Sequence, residues 1–390
     1  MKILYISPIN IATQGGQSNH FREIGENLQK LGNELLTICR GKGERFQHLN
    51  IKGIPNVEVS YLTPVIADFF LSFYLLYYVL SFRPDVVYYR GVTLGGIISR
   101  VLKIPSVAEA NGIYPDEVKV ERPRFFELAG NFLKLREKIN YYLATRIICI
   151  TEGIKSELAK NYDIKSEICT VIPNGVNTNL SKPMDKAACR KKLGLEEGYF
   201  CLGFVGSFRA WQGLDTLIEA MKVVKDKGFH SIRCVLVGDG ESMNYLKDIV
   251  NRYGLHREIV FVGRIRYEEV SEFINAFDVC LAPFKRERNE KIGLSPLKLY
   301  EYLACARAVI ASRVQGVSEV IERGKCGYLF EPGDATDLAL RIFESYGEWD
   351  RLPKLGHNGR ILVEKNFSWE KIARSVENVL RQAVRGNHMN

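Results

Sequence analysis

Short apolar runs alternate with amphipathic stretches along almost the whole chain. "KILYIS" gives way to "HFREIGENLQKLG", where Phe21, Ile24, Leu28 and Leu31 share one helical face and Gly32 closes the helix. "NELLTICR" begins a second strand, and "VEVSYL", "DVVYYR", "SVAEA", "RIICI" and "CTVIPNG" continue the series. Strands this apolar, spaced by helices, predict strand–helix units of a mostly parallel sheet. After a polar connection, "VNTNLSKPMDKAACRKKLGLEEG", the alternation resumes with "YFCLGFVG", "RCVLVGDG", "IVFVGRI", "DVCLAPF", "RAVIAS" and "GYLFEPG". Three of these strands end in a glycine, as expected of strand ends that meet something flat at close range. The pattern predicts two α/β domains, residues 1–178 and 198–367, joined by a linker at 179–197. A final helix, 368–385, carries Trp369, Ile372, Val376, Val379 and Leu380 on one face, which either caps the second domain or crosses back onto the first.

Residues 65–82, "VIADFFLSFYLLYYVLSF", are apolar all round, so periodicity does not orient them. They fit a core helix, a helix lying against lipid or, by length, a spanning one. Composition changes the picture little: 390 residues, 46% hydrophobic and 25% charged, are ordinary for a soluble two- or three-domain protein. The net charge of +9 suits anionic lipid or a phosphorylated substrate. With the cations scattered, no basic tail, and neither zinc-finger spacing nor an RNA-binding aromatic signature, nucleic acid is not expected as a partner. Nine cysteines occur singly, mostly in apolar runs, and the start "MKILYISPIN" lacks a signal-peptide pattern. Both suggest a cytoplasmic protein, with a peripheral place on the inner face of the membrane left open by the aromatic stretch.

The segment "GLSPLKLYEYLACARAVIAS" raises a chemical question. Ser295 is expected to cap a helix with Pro296 at its first position, which puts Lys298 at the positive end of the helix dipole. A bound phosphate resolves the conflict, meeting the amides of Leu297 and Lys298 and the ammonium together. Glu301, one turn on, suits the hydroxyls of a ribose or sugar, although an ordinary Lys–Glu surface pair also fits. In "VGSFRAWQG", Gly206 ends a strand and Arg209 offers a planar fork to diphosphate oxygens, or is simply solvated. Gly238 and the glycine of "FVGRI" could admit a nucleobase against backbone, bordered by Arg264 unless that arginine pairs with Glu268 or Glu269.

In the first half, Gly15 and Gly16 precede a helix that Ser18 or Asn19 is expected to cap, another place for close approach or for an anion. His20 reads as structural. "YYRG", "EANG" and "CITEG" put Arg90, Glu109, Asn111 and Glu152 near one sheet edge, where Glu109 and Asn111 either hold sugar or acceptor hydroxyls or, for Glu109, pair with Arg90. No HExxH, P-loop, nucleophile elbow, clustered cysteine ligands or D-x-D metal pair occurs, so no metal is expected.

In their order, "GGQSNHFREIGENLQKLGNEL", "RIICITEGIKSEL", "VIPNGVN", "GSFRAWQGLDTLIEAM", "VLVGDG", "FVGRI", "AFDVCLAPF" and "SPLKLYEYLACARAVIAS" resemble family 4 of the retaining glycosyltransferases, across nearly the whole chain. Within it the chain looks like the subset with "SPLKL[FY]EY". The resemblance implies a GT-B fold: two Rossmann-like domains facing across a cleft, acceptor on the first, nucleotide-sugar donor on the second, and a terminal helix returning to the first. It implies sugar transfer from a nucleoside diphosphate, UDP or GDP, with retention and without a separate cofactor. The acceptor would be a saccharide or a polyprenyl-linked saccharide, in envelope or extracellular polysaccharide or glycoconjugate synthesis. A nucleotide-sugar epimerase, a phosphorylase and a non-catalytic sugar-nucleotide binder remain alternatives. Arg209, Lys298, Glu109 and Asn111 are the expected catalytic groups. Gly15, Gly16, Gly206, Gly238, Arg264, Leu294, Ser295, Pro296, Leu297 and Glu301, with Arg209 and Lys298, are the expected donor contacts. Of the family's two glutamates, Glu301 matches the second, on the donor ribose, while Gly293 stands where the first would be and Glu290 is out of step. Backbone at Leu294, Ser295, Pro296 and Leu297 is expected to take over that sugar contact. Ser207 and Gln212 replace the family's loop arginine and lysine, which puts more weight on Arg209 and Lys298. "EANG" replaces a histidine-containing turn, so no histidine is expected to be catalytic.

Overall fold

A computed structural model describes residues 1–12, 15–41, 51–54, 63–195 and 198–387. The chain forms two compact units, Met1–Asn174 with Trp369–Asn390, and Gly175–Ser368.

In the first unit the described residues form a seven-stranded sheet, in the order β3-β2-β1-β4-β5-β6-β7. Its strands are β1 (Lys2–Asn10), β2 (Glu34–Arg40), β3 (Ile51–Ile54), β4 (Val86–Tyr89), β5 (Ser106–Ala110), β6 (Arg146–Cys149) and β7 (Cys169–Val171). Every pairing is parallel. The apolar runs follow from that: a parallel strand covered by helices on both faces has no solvent side to alternate with, and all four residues of β4 and all five of β5 are buried. Strand β3, "IKGI", is too short and polar to stand out in the sequence. The expected strand "VEVSYL" lies outside the described residues. Helix Gly16–Lys30 buries Phe21, Ile24 and Leu28 as its period requires. Helix Trp369–Asn387 buries Trp369, Ile372, Val376, Val379 and Leu380 and packs against helix Gly16–Lys30 and strands β4, β5 and β6.

The second unit holds a six-stranded parallel sheet in the order β10-β9-β8-β11-β12-β13. The strands are β8 (Phe200–Val205), β9 (Ile232–Val237), β10 (Ile259–Gly263), β11 (Val279–Ala282), β12 (Ala308–Ser312) and β13 (Gly327–Phe330). Residues 179–197, expected as a linker, instead pack into this unit, apart from 196 and 197, which lie outside the described residues. Their helix Lys186–Leu193 is tied down by Arg190 and Lys186, each 2.6 Å from the buried carboxylate of Asp278, which also accepts from the Cys201 amide at 2.7 Å. Most of the stretch is exposed, which accounts for its polar look, while Lys186 and Arg190 turn inward to satisfy one buried acid.

Each unit is thus a Rossmann-like lobe. In both, the chain reverses its lateral direction beside the first strand, between β1 and β4 and between β8 and β11. Ligands of such sheets bind at the carboxyl ends of strands near that switch.

Candidate functional site

In the second unit the switch lies at the ends of β8 and β11. Helix Leu297–Ala304 begins there with Pro296 at its cap and no side-chain cap. The start is one residue later than the sequence suggests, and Ser295 is not the capping residue. Its hydroxyl turns inward, 3.0 Å from the Tyr300 hydroxyl, whose ring stacks on Phe367 at 4.7 Å. Two residues further, the Tyr302 hydroxyl accepts the Val205 amide at 2.8 Å and so fixes the helix against the end of β8. The first-turn amides, Leu297 and Lys298 among them, have no acceptor within their own helix, an arrangement that favours negative charge nearby.

Lys298 is the centre of this region. Its ammonium donates to Gln212 Oε1 at 2.6 Å and sits 3.7 Å from the centroid of the Phe204 ring. A Cβ placed on Gly206 would lie 2.7 Å from Nζ, so the glycine leaves the room the ammonium occupies. Burial drives the Lys298 pKa well below its usual value, and the charge of Glu301 opposes that only in part. Among the described residues no carboxylate forms an ion pair with Lys298. Glu301 accepts from the Tyr267 hydroxyl at 3.3 Å.

The glycines at the strand ends pack against one another. The Gly206 amide donates to Val237 and the Gly238 amide to Gly263, while a Cβ on Gly238 would lie 1.8 Å from the Gly206 carbonyl oxygen. Gly238 therefore serves close backbone approach between β8 and β9. Arg209 stays exposed at the entrance to the short turn Ala210–Gln212. Arg264 is exposed as well, and Glu269 is engaged by Arg266 rather than by Arg264. Gly293 ends helix Arg286–Ile292 at φ 66°, ψ −177°, a region open essentially to glycine alone. That is the physical reason a glutamate does not stand there. The following amide, Leu294, is held by the Gln315 carbonyl at 2.9 Å.

Gln212 is the residue that sequence reasoning missed. It appears there only as the loss of a lysine, whereas in the fold it is buried and holds the lysine of another helix.

In the first unit the corresponding edge holds a buried polar cluster. Glu109, on β5, lies 2.7 Å from His20 Nε2, accepts from Asn111 Nδ2 at 2.6 Å and takes a short hydrogen bond from the Tyr88 hydroxyl. Burial pushes its pKa up, but His20, Arg90 and Tyr88 together outweigh burial and bring it down to about 2. Among the described residues Glu109 pairs with His20 rather than directly with Arg90, which acts on it through space. His20 Nδ1 is 2.8 Å from Asn174 Oδ1, and the edge of its ring meets Trp369 at 5.2 Å. The signal that could have found His20 was its position at a helix start following β1. Gly15 caps helix Gly16–Lys30 without any side-chain cap. Ser18 lies inside the helix and donates back to the Gly15 carbonyl at 3.0 Å, so it is not the cap expected. Glu152 opens the helix Glu152–Tyr162 and remains exposed, away from this network.

Two parallel α/β lobes, the second with a lysine and the amides of a helix start at its strand-end switch, define the class of fold. Known proteins sharpen this. Residues 14–180 match the model described as Glycosyltransferase Family 4, and residues 185–361 the model described as Glycosyl transferases group 1. The uncharacterized glycosyltransferase MJ1607 of Methanocaldococcus jannaschii is 23% identical over 95% of each chain. The capsular polysaccharide biosynthesis glycosyltransferase CapM of Staphylococcus aureus is 26% identical over 64% of this chain and 66% of its own. The solved structure of Anabaena Alr3699/HepE in complex with UDP superposes with a TM-score of 0.77 at 19% identity, covering 98% of this chain and 100% of that one. The fold is GT-B, and the chain is a glycosyltransferase related to these two families.

Proposed function

We propose that the protein is a retaining glycosyltransferase that moves a sugar from a nucleoside diphosphate, UDP or GDP, to a saccharide or lipid-linked saccharide acceptor in polysaccharide or glycoconjugate synthesis. The observation that carries the donor assignment is the Lys298 ammonium, half-buried beside Gly206 at a helix start without a side-chain cap, where its contacts are the Gln212 amide and the Phe204 ring. A half-buried cation that the charge of Glu301 compensates only in part is costly in the free protein, and a diphosphate at the same spot supplies the rest. Glu301, three residues on and already hydrogen-bonded to Tyr267, suits the ribose hydroxyls. The similarity to a structure solved with UDP and to a capsular polysaccharide enzyme supports the same reading.

In the reaction the acceptor oxygen bonds to the anomeric carbon on the face that the diphosphate leaves. The carbon–oxygen bond to phosphate breaks with its electron pair on the diphosphate, and the departing phosphate oxygen takes the acceptor proton. Lys298 and the amides of Leu297 and Lys298 stabilise the charge that grows on that oxygen, which is electrostatic catalysis by groups already in position. Glu109 and Asn111 are the first-lobe groups suited to orient acceptor hydroxyls, with His20 and Tyr88 setting the carboxylate's position. Titration of the protein with UDP, GDP and ADP, followed by NMR of the product's anomeric centre with the matching sugar nucleotide, tests the proposal. Failure of all three nucleotides to bind, or a product of inverted configuration, overturns it.

A further inference from the structure

One face of the first lobe is left apolar by the fold. Helices Thr63–Phe82, Gly95–Val101 and Pro123–Tyr141 pack side by side, the first against the second and the second against the third, with the first also on β1 and the second on β4 and β5. Their inner sides are ordinary core: Leu71, Leu75 and Val79 on the first, Leu133 and Tyr141 on the third. Their outer sides are not polar. Phe73, Tyr77 and Leu80, spaced at three and four residues, are 65%, 57% and 60% exposed. Val101 is 74% exposed on the middle helix. On the third, Leu128, Phe132 and Leu135 repeat the same spacing at 90%, 56% and 56%. Scattered exposed leucines are normal, but three adjacent helices each turning apolar side chains outward mark a contact surface.

Charge selects the occupant. Arg83, Arg100, Lys103, Arg122, Arg124 and Lys134 are exposed on these helices and at their ends, against Asp85 and Glu127 as the exposed acids among the described residues of this stretch. A second copy docked about a two-fold axis would bring this cationic rim against itself. An anionic bilayer meets both features at once, burying the apolar side chains at the headgroup boundary and pairing the rim with lipid phosphates. No helix among the described residues is long and apolar enough to cross a membrane, so contact of this kind lies along the surface.

We propose that this three-helix face of the first lobe docks on an anionic lipid bilayer, with the aromatic helix Thr63–Phe82 and the outer stripe of helix Pro123–Tyr141 in the headgroup layer. This goes beyond sugar transfer and stands independently of it.

Flotation of the full chain with vesicles of phosphatidylcholine alone, and with phosphatidylglycerol added, tests the proposal. Wild type is expected to float with the anionic vesicles, less so with the neutral ones and less as salt rises. The variants Phe73→Ser/Tyr77→Ser/Leu80→Ser and Leu128→Ser/Phe132→Ser/Leu135→Ser are expected to lower the bound fraction roughly tenfold while keeping the wild-type melting temperature. A third variant, Arg122→Glu/Arg124→Glu/Lys134→Glu, leaves the apolar stripe intact and is expected to lose the preference for anionic vesicles. The proposal is overturned if wild type floats with neither vesicle, or if all three variants float as wild type does. It is equally overturned if sedimentation shows wild type self-associating through this face with vesicle binding unchanged in the serine variants.

Discussion

Lys298 Nζ lies 2.6 Å from Gln212 Oε1, a hydrogen bond that joins a helix start to a short turn 86 residues away and leaves Glu301 as only a partial counter-charge to the ammonium. Replacing either partner separates the electrostatic role from packing. Lys298→Met keeps the length of the side chain and its contact with Phe204 but removes the charge. UDP or GDP binding is expected to weaken by roughly ten- to a hundredfold, as for loss of a hydrogen bond to a charged group. Gln212→Glu keeps the shape and supplies a fixed counter-ion that competes with phosphate. Its nucleotide affinity is expected to fall about tenfold with the melting temperature held or raised. Calorimetric titration and a thermal melt read both, and wild-type affinity in the two variants would falsify the assignment of this site.

The depressed pKa of Lys298 also sets a pH dependence for donor binding. Burial favours the neutral amine in the free protein, whereas a bound diphosphate favours the ammonium, so the pKa rises on binding. Between the two values binding takes up a proton, and affinity falls as pH rises, by up to about tenfold per unit. Titrations in buffers of different ionisation enthalpy at alkaline pH should show uptake approaching one proton for wild type and close to zero for Lys298→Met. Equal uptake in both would assign the proton elsewhere.

Gly293 is held at a backbone conformation that only glycine adopts readily, with the Gln315 carbonyl 3.1 Å from where a Cβ would stand. Gly293→Ala and Gly293→Glu are each expected to cost about 1–3 kcal/mol of stability. Neither is expected to strengthen donor binding, because the strain displaces the Leu294 amide and the helix start behind it. A Gly293→Glu protein that is as stable as wild type and turns over faster would show that the position tolerates the family's first glutamate after all.

Glu137 provides a prediction away from the site. It is buried, and burial raises its pKa to about 7 against the opposing effects of Arg136 and the Tyr141 hydroxyl 3.2 Å away. The folded form therefore keeps its proton between about pH 4.5 and 7, where the unfolded form has lost it. Stability is expected to fall across that window as pH rises, by roughly 3 kcal/mol in all. Glu137→Gln should flatten the profile and melt higher than wild type above neutrality. Glu109 has the opposite sign: its contribution is present above about pH 4.5 and lost as pH falls toward about 2, so the two windows do not overlap. Melting temperatures of wild type and Glu137→Gln from acid to alkaline pH decide the matter, and an unchanged slope in the variant would sink it.

Much of the fold was readable in one dimension because its signals are local. Runs of β-branched and apolar residues with glycine at their ends, spaced by 3.6-period stretches, are what two parallel sheets covered by helices require, and Lys298 at a helix start was visible as an electrostatic anomaly. What no local pattern carried is which groups meet. The inward turn of Ser295 depends on Tyr300 and Phe367, the binding of Lys298 on Gln212, and the burial of His20 on Glu109 and Asn174. Each of these is a contact between strand ends or helices brought side by side by the order of the sheet. The helix Thr63–Phe82 makes the same point in reverse: apolar on every side, it has no period to say which face is core, and only packing against β1 and its neighbour left Phe73, Tyr77 and Leu80 outside. Periodicity follows from the chain's own geometry, but partners are chosen by close packing among distant segments, and that choice exists only once the lobes have formed.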